Sequence, residues 1–245
     1  MDRMLYVAMT GAREIMEAQA INANNLANVG TTGFCEDLVQ FRSVQVFGPG
    51  YPSRVYAMAE HPGVSFAPGD LINTGGELDV AIDGNGWIAV QSTDGTEAYT
   101  RSGNLQISNN GLLITNTGLL VLGDNGPISV PPAEKMEIGR DGTISVFPLG
   151  QEASSMVVLD RIKLVKMPLT ELVKGEDGLM RSDRQELLPA DASVKLVSGT
   201  LESSNVNAVS ALVNMIDLSR KFEMQIKIMH TAQENDAKTA ELLRI

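Results

Sequence analysis

A helical segment at each end of the chain constrains the fold more than any other feature. From Asp2 to about Asn28 there is no proline, and glycine occurs only at Gly11, so one helix can run through the segment. Its seam positions recur three or four residues apart, which is typical of an amphipathic helix. The seam consists of Leu5, Ala8, Ala12, Ile15, Asn22 and Leu26, with Gln19 between them. We expect the helix to stop at Gly30, where residues 29–34 supply glycine for a left-handed cap and a turn.

The C-terminal segment carries a longer seam of the same kind. Seven of its ten positions are apolar, and they alternate three and four residues apart, as in a coiled coil. They are Leu212, Met215, Ser219, Phe222, Ile226, Met229, Gln233, Asp236, Ala240 and Leu243. Ser203, Ser204 and Asn205 or Asn207 offer the N-cap. The pattern predicts a second helix that runs nearly to the last residue.

The middle of the chain has the pattern of short strands joined by tight turns. Asp-Gly or Asn-Gly dipeptides, which accept the positive φ of hairpin turns, begin at Asp83, Asp94, Asn110, Asn125, Asp141 and Asp177. The runs beside them are short and rich in branched side chains, so an antiparallel all-β domain is predicted. Before it, glycine and proline clusters in residues 35–77 favour an extended connector.

These patterns predict an α+β, mainly β fold. An antiparallel β-domain over 78–199 is inserted between N- and C-terminal helices that pair in a coiled-coil-like domain. That helical domain comprises 1–34 and 200–245, and 35–77 is the connector. Two thin helices packed only on each other leave an exposed edge, so we expect the ends to become ordered mainly against other chains.

Asparagines crowd the end of the first helix at Asn22, Asn24, Asn25 and Asn28. Asparagine is a mediocre helix former because its amide competes with the backbone for hydrogen bonds. Two interpretations stay open. The amides form a solvated face with a C-terminal cap, or they are buried and fix the register between neighbouring helices.

Composition excludes several functional classes. Nineteen basic and thirty acidic residues give a net charge of −11, so the field of the protein repels nucleic acid phosphates and anionic lipid heads. No stretch reaches the roughly 20 apolar residues of a membrane-spanning helix, and no apolar run follows a basic head at the N-terminus as in a cleavable signal. These signals indicate a cytosolic protein, unless another export route reads an uncleaved N-terminus.

Catalytic and cofactor signals are weak. Residues 84–89 fit a loose G-x-G-x-x-A dinucleotide pattern, but another strand follows where a helix is needed to hold a pyrophosphate. Cys35 could be a nucleophile only if His61 or His230 reached it, and neither is placed to do so. Asp94 and Asp141 lack the recurring acidic residues of a calcium loop. We predict no catalytic residue, no cofactor and no metal site.

Four stretches carry a resemblance to a known family. They are residues 23–34, 78–87, 99–105 and 199–206, so they are distributed along most of the chain, from residue 23 to residue 206. Residues 23–34 resemble the N-terminal signature of the bacterial flagellar rod and hook family of axial proteins, and the other stretches resemble its β-domain motifs and its lead into the C-terminal helix. The opening residues and the modest length resemble the proximal-rod members most, with a distal-rod or hook-family paralogue as the alternative.

The resemblance implies a structural subunit that transmits torque and is not an enzyme. The implied assembly motif is Ala23, Asn24, Asn25, Leu26, Ala27, Asn28, Thr32, Gly33 and Phe34, and the implied C-terminal motif is Gly199, Leu201, Glu202, Ser204, Asn205 and Val206. The helices would pack on those of neighbouring subunits through Leu5, Ile15, Leu212, Met215, Phe222, Ile226 and Met229. Cys35 and Met180 depart from residues usual in the family.

The resemblance also implies partners and a location. The termini would line the axial structure with the β-domain outside. The partners would be copies of the chain, other rod subunits and the flagellar type III export apparatus, which exports subunits to the periplasm-spanning rod without a cleaved signal. A rival from another class is a homo-oligomeric β-domain enzyme or binding protein whose helices only join copies together.

Overall fold

The computed structural model describes residues 4–45, 55–148, 156–183 and 187–242. The chain divides into two compact units. A helical unit is built from Met1–Val29, Glu36–Ser65 and Val206–Ile245, and a β unit from Gly30–Cys35 and Phe66–Asn205. The chain therefore passes between the units four times, and both terminal segments belong to the helical unit.

The helical unit contains two antiparallel helices, α1 (Met4–Ala27) and α2 (Ala208–Leu242). Asn22 near the end of α1 donates its side-chain amide to the carbonyl of Ala211 near the start of α2, at 2.8 Å. Gly11 lies against Gln225, farther along α2. The start of α2 is capped by Asn207, whose Oδ1 accepts the N–H of Ser210 at 3.0 Å, so one of the N-cap residues proposed above is confirmed.

The buried face of α2 is displaced by one residue from the predicted seam at several positions. Every third or fourth residue faces inward, and these residues are Ala211, Met215, Leu218, Phe222, Gln225, Met229 and Ala232. The predicted seam shares Met215, Phe222 and Met229 with them, but its Leu212 and Ile226 are exposed, and Leu243 lies outside the described residues. Both seams contain the same three large side chains, so spacing alone did not separate them.

A β-hairpin packs on α1 where the sequence suggested only a connector. Its strands, β1 (Asp37–Gln45) and β2 (Val55–Val64), pair antiparallel. The connector prediction for 35–77 is corrected for the residues of these two strands. Residues 62–63, whose Pro-Gly sequence suggested a break, lie inside β2. The register shifts between Leu38 and Gln40, and this bulge absorbs the proline in a strand that is an edge of its two-stranded sheet. The glycine-proline cluster at 48–50 lies outside the described residues.

The β unit consists of short antiparallel strands, as predicted. Its strands are β3 (Leu71–Asn73), β4 (Val80–Asp83), β5 (Trp87–Gln91), β6 (Glu97–Thr100), β7 (Leu105–Ile107), β8 (Leu113–Thr115), β9 (Leu120–Gly123), β10 (Gly126–Pro127), β11 (Ala133–Ile138), β12 (Thr143–Pro148), β13 (Val157–Arg161), β14 (Leu164–Val165), β15 (Leu172–Lys174), β16 (Met180–Ser182), β17 (Lys195–Ser198) and β18 (Thr200–Glu202). A short 3-10 helix covers Leu169–Glu171.

The largest sheet among the described strands has the order β15-β16-β6-β5-β9-β8-β7, with β10 beside β9 and β14 beside β5. Strands β11, β12 and β13 form a second sheet. The glycines of all six predicted Asp-Gly and Asn-Gly turns have positive φ, which confirms the turn predictions. Side chains that are fully buried between these strands include Ile88, Leu113, Ile128, Ile144, Leu164 and Leu196.

The last two strands return to the beginning of the β unit. Strand β17 pairs with β4, and β18 pairs with β3. Gly199 lies between them with φ of 70°, and its carbonyl accepts the N–H groups of Thr74 and Gly75. This return brings the C-terminal motif beside strands that are more than 100 residues away in sequence, and it builds the site described next.

Candidate structural site

Parts of the four motifs that carry the family resemblance meet within the β unit, at a cluster that we name the motif junction. It consists of residues 32–35, 84–87, 101–103 and 199–205. At its centre, Arg101 donates from Nη1 to Oε1 of Glu202 at 2.9 Å. Both side chains are buried, at 5% and 4% exposure, so the pair is shielded from solvent. A buried ion pair needs its remaining hydrogen-bonding groups satisfied, and this one has further partners.

Arg101 holds the turn between β4 and β5. Its guanidinium donates to the carbonyls of Gly84 and Gly86, and it lies 5.4 Å from the ring centre of Trp87 in a cation–π contact. Trp87 in turn meets the edge of Phe66, with ring centres 6.1 Å apart. The G-x-G-x-x-A pattern is therefore a strand-to-strand turn whose carbonyls point at an arginine.

Glu202 holds the other side of the junction. Its Oε1 also accepts the N–H of Gly69 at 3.1 Å, and its backbone carbonyl accepts the N–H of Gly33 at 2.9 Å. Gly33 has φ of 67°, and a Cβ there would collide with the backbone of Arg101 and Ser102. Only glycine fits this close approach without strain.

The assembly motif is divided between the two units. Thr32 and Phe34 bind within the motif junction: the Thr32 hydroxyl is 3.0 Å from that of Ser102, and the Phe34 carbonyl accepts the N–H of Asn205 at 3.2 Å. The side chain of Asn205 donates to the carbonyl of Ala67 at 2.9 Å. The first part of the motif, residues 23–28, belongs to the helical unit.

The asparagines of α1 take different roles. Asn25 is 4% exposed, donates to the carbonyl of Asp37 at 2.9 Å and accepts the N–H of Asp37 at 3.0 Å. Asn25 therefore binds the first residue of β1 within the helical unit. Asn28 donates to the carbonyl of Asn24 at 2.9 Å, as a C-terminal cap. Asn22 bonds to the backbone of α2 and so sets the register between the two helices of one chain.

The other residues named from the sequence differ in their exposure to solvent. Of the C-terminal motif, Leu201 and Val206 are buried and Ser204 is half-buried. Of the helix-packing set, Ile15 is buried beside Leu218, whereas Leu5, Leu212 and Ile226 are exposed. Met215, Phe222 and Met229 are half-buried, and Phe222 packs against the Ile15 cluster. The residues of α1 named from the motif, Ala23 and Ala27, are exposed, and Leu26 is half-buried.

A buried carboxylate attaches the hairpin to α1. Glu14 is 4% exposed, and its Oε2 accepts the N–H of Ala59 in β2 at 2.8 Å. Oε1 accepts a hydrogen bond from Arg13 at 2.8 Å. These bonds, the one from Ala59 first, lower the pKa of Glu14. The sequence analysis named Glu202 in the C-terminal motif but missed Glu14, Arg101 and the pairing of Arg101 with Glu202. The sequence did carry a signal for them. Glu14 lies near Gly11 and Ala18 on one face of the predicted helix, and Arg101 and Glu202 are charges within two of the family motifs.

Each residue considered for catalysis has contacts within its own unit. Cys35 is buried, with Sγ 3.9 Å from the carbonyl of Gly33. His61 is 3.1 Å from Glu17, and His230 is 3.5 Å from Glu234. Within the described ranges, no three His, Cys, Asp or Glu side chains are grouped to hold a metal ion. No helix in the described part of the chain is long and apolar enough to cross a membrane.

Two family models match parts of this chain. Residues 81–146 match the family model described as the flagellar hook protein FlgE/F/G D1 domain. Residues 197–242 match the model described as the flagellar basal body rod FlgEFG protein C-terminal. The first match lies in the β unit, and the second covers the C-terminal motif and α2.

Full-length relatives point to the same family. The chain is 41% identical to the flagellar basal-body rod protein FlgF of Escherichia coli and 40% identical to that of Salmonella typhimurium, over 99% of each chain. It is 34% identical to FlgG of Buchnera aphidicola subsp. Schizaphis graminum, over 97% of this chain and 98% of the relative. The chain therefore belongs to the flagellar basal-body rod protein family, as a structural rod subunit with more similarity to these FlgF relatives than to this FlgG.

Proposed function

We propose that the chain is a proximal-rod subunit that polymerises with itself and with other axial proteins and transmits torque. The observation that carries this proposal is the 41% identity to FlgF over nearly the entire length, which includes both terminal helices and the β unit. Fold alone would not assign a function, but a full-length relationship includes the surfaces by which a subunit assembles.

The proposed mechanism uses apolar surface that one chain leaves uncovered. Large side chains of both helices are exposed, and this set includes Leu5, Met9, Met16, Leu212, Ile216 and Ile226. Packing of these side chains on neighbouring subunits in a coiled-coil-like manner removes them from water. Contacts between unlike surfaces that do not close a ring generate a helical array, and close-packed interiors resist twisting.

The asparagines have a narrower proposed role in this array. Asn25 uses both atoms of its amide on Asp37 in its own chain, so it supports assembly by holding the hairpin in place. Asn24 is exposed on α1 and is the better candidate for a register contact with a neighbouring subunit. Asn28 caps the helix that carries it.

The proposed route to the rod is the flagellar type III export apparatus, without a cleaved signal peptide. Support comes from the shallow packing of the helices. Within its described length, α2 buries only Ala211, Leu218 and Ala232, so little structure opposes unfolding of the ends before export. We propose no nucleic acid as a partner and no insertion of the chain into a membrane. The net negative charge of the chain would keep free subunits soluble before they assemble.

Complementation tests this function. Expression in an Escherichia coli strain that lacks FlgF should restore swimming, and a tagged chain should appear in isolated basal bodies. The same chain without residues 1–30 should do neither, although an enzyme carried by the β unit would keep its site. Swimming restored in a strain that lacks FlgG, and not in the FlgF strain, would assign the chain to the distal rod. The similarity to FlgG relatives makes this the second candidate.

A further inference from the structure

The side of α2 that faces away from α1 carries a compact apolar patch. It consists of Val209, Leu212, Val213 and Ile216, which are 49–71% exposed. At 3.6 residues per turn these four residues lie roughly half a turn from the inward-facing Ala211 and Leu218. The next residues on the same side are charged, Arg220 and Glu223, so the patch ends abruptly after about two turns.

Helix α1 carries a second exposed face that differs in shape. It begins with the large Met9 and Met16 and continues with Ala20, Ala23 and Ala27, all exposed. Residues 20–27 and residues 209–216 each span about 10 Å of helix. Packing favours large side chains opposite small ones, so the α2 patch fits the alanine end of α1 better than it fits a copy of itself.

Charge gives the contact a direction. Arg13 and Glu17 are exposed on α1, on the side of Met9 and Met16. If a neighbouring α2 runs antiparallel to α1, as the chain's own α2 does, then Val213 lies beside Ala23, Glu223 lies beside Arg13, and Arg220 lies near Glu17. Opposite charges then meet at both positions, whereas a parallel alignment would not bring the apolar and charged parts together in this order. Arg13 already donates to Glu14, and Glu17 already contacts His61, but a guanidinium has five N–H donors and a carboxylate has two oxygens.

We propose that the α2 patch of one copy packs on the α1 face of a second copy, side by side and antiparallel, with Ala23 next to Val213. The contact joins unlike surfaces, so one copy of a pair retains an unused α1 face, the other retains an unused α2 patch, and the association continues. This inference rests on the proposed rod function, because it takes neighbouring subunits to point the same way. It names the faces that touch and their register.

Site-specific crosslinking between copies tests the contact. Two differently tagged full-length chains, both with Cys35→Ser, carry Ala23→Cys and Val213→Cys respectively. After mixing and oxidation, the main product should be a disulfide-linked dimer that carries both tags. Lys227→Cys is the matched control, because it lies on the same exposed side of α2 about 21 Å from Val213. It should crosslink to Ala23→Cys at least fivefold less.

Three results would overturn the contact: no mixed dimer, a dominance of dimers with a single tag, or equal crosslinking by the Lys227→Cys chain.

Charge exchange gives an independent measurement in sedimentation velocity. Arg13→Glu and Glu223→Arg should each weaken self-association about fivefold, and the double variant should recover it. Failure to recover would also contradict the proposed register. Incorporation into basal bodies without the Ala23–Val213 crosslink would leave the rod function standing and remove only this contact.

Discussion

At the scale of single residues, the motif junction depends on two buried charges that the chain brings together from 101 positions apart. Arg101 reaches the carbonyls of Gly84 and Gly86, and Glu202 reaches the N–H of Gly69. Removal of one partner leaves the other charge buried without compensation, which costs more than the pair contributes as a whole. The junction therefore tolerates a double replacement better than a single one.

Replacement of Arg101 by methionine should destabilise the β unit by about 3–5 kcal/mol, because the carboxylate of Glu202 loses its counterion in a buried site. The measurement is urea unfolding followed by the fluorescence of Trp87, the single tryptophan, which Arg101 contacts directly. Arg101→Met with Glu202→Met should recover part of the loss. Lys135→Met breaks the exposed pair with Glu137 and should change stability by less than about 1 kcal/mol. Equal effects at the two pairs would contradict a central role for the junction.

Two glycines in the same motif provide a matched comparison. Gly33→Ala should cost about 2 kcal/mol or more, because alanine at positive φ is strained and its Cβ meets the backbone of Arg101. Gly30→Ala has open space at its Cβ and is not among the positive-φ glycines, so it should be close to neutral. Thermal unfolding of the two variants checks the difference. A neutral Gly33→Ala would show that the chain segment is not held against the junction.

At the scale of elements, the hairpin and the helices illustrate what sequence can and cannot predict. The six Asp-Gly and Asn-Gly turns were predictable because these dipeptides encode their φ angles locally. Strand β2 was not predictable, because Pro62 and Gly63 suggest a break. The strand pairs with β1, and its bond to Glu14 comes from a helix more than 40 residues away in sequence. The α2 seam was off by one residue at several positions, because two alternating patterns share its large side chains. The charges of the junction stand out within their motifs, but their pairing could not be foreseen, since no local pattern pairs Arg101 with Glu202.

The attachment of the hairpin should depend on pH through Glu14. Its pKa is lowered from an ordinary value of 4.5 by the N–H of Ala59 and by Arg13. A carboxylate with a depressed folded-state pKa contributes stability above 4.5, and this contribution disappears as the pH falls through the folded-state value. Glu14→Gln should therefore lower the stability of the helical unit at pH 7, by about 1 kcal/mol, and much less near pH 3.

Circular dichroism at the two pH values measures this difference. Glu17→Gln is the control, because Glu17 lies one turn away but is exposed. A Glu14→Gln effect that is the same at both pH values would assign the loss to packing rather than to charge.

At the scale of the whole molecule, the two units differ in how completely one chain can finish them. The β unit has an extensive buried core of branched side chains. The buried apolar cluster between the helices consists of Ile15, Ala18 and Leu218, with Val39 and Phe222 beside it. From residue 233 to residue 242, every side chain of α2 is exposed. Stability in such a molecule is uneven, and the helical unit gains most from neighbouring subunits.

Amide hydrogen exchange of the full chain, dilute and then at a concentration where it associates, tests the central claim most directly. The claim is that the terminal helices are completed by other copies. In the dilute sample, amides of α1 and α2 should exchange at least a hundredfold faster than those of β5 and β12, and on association the helices alone should become strongly protected. Helices that are as protected as the β unit in a dilute monomer, with no change on association, would contradict the account.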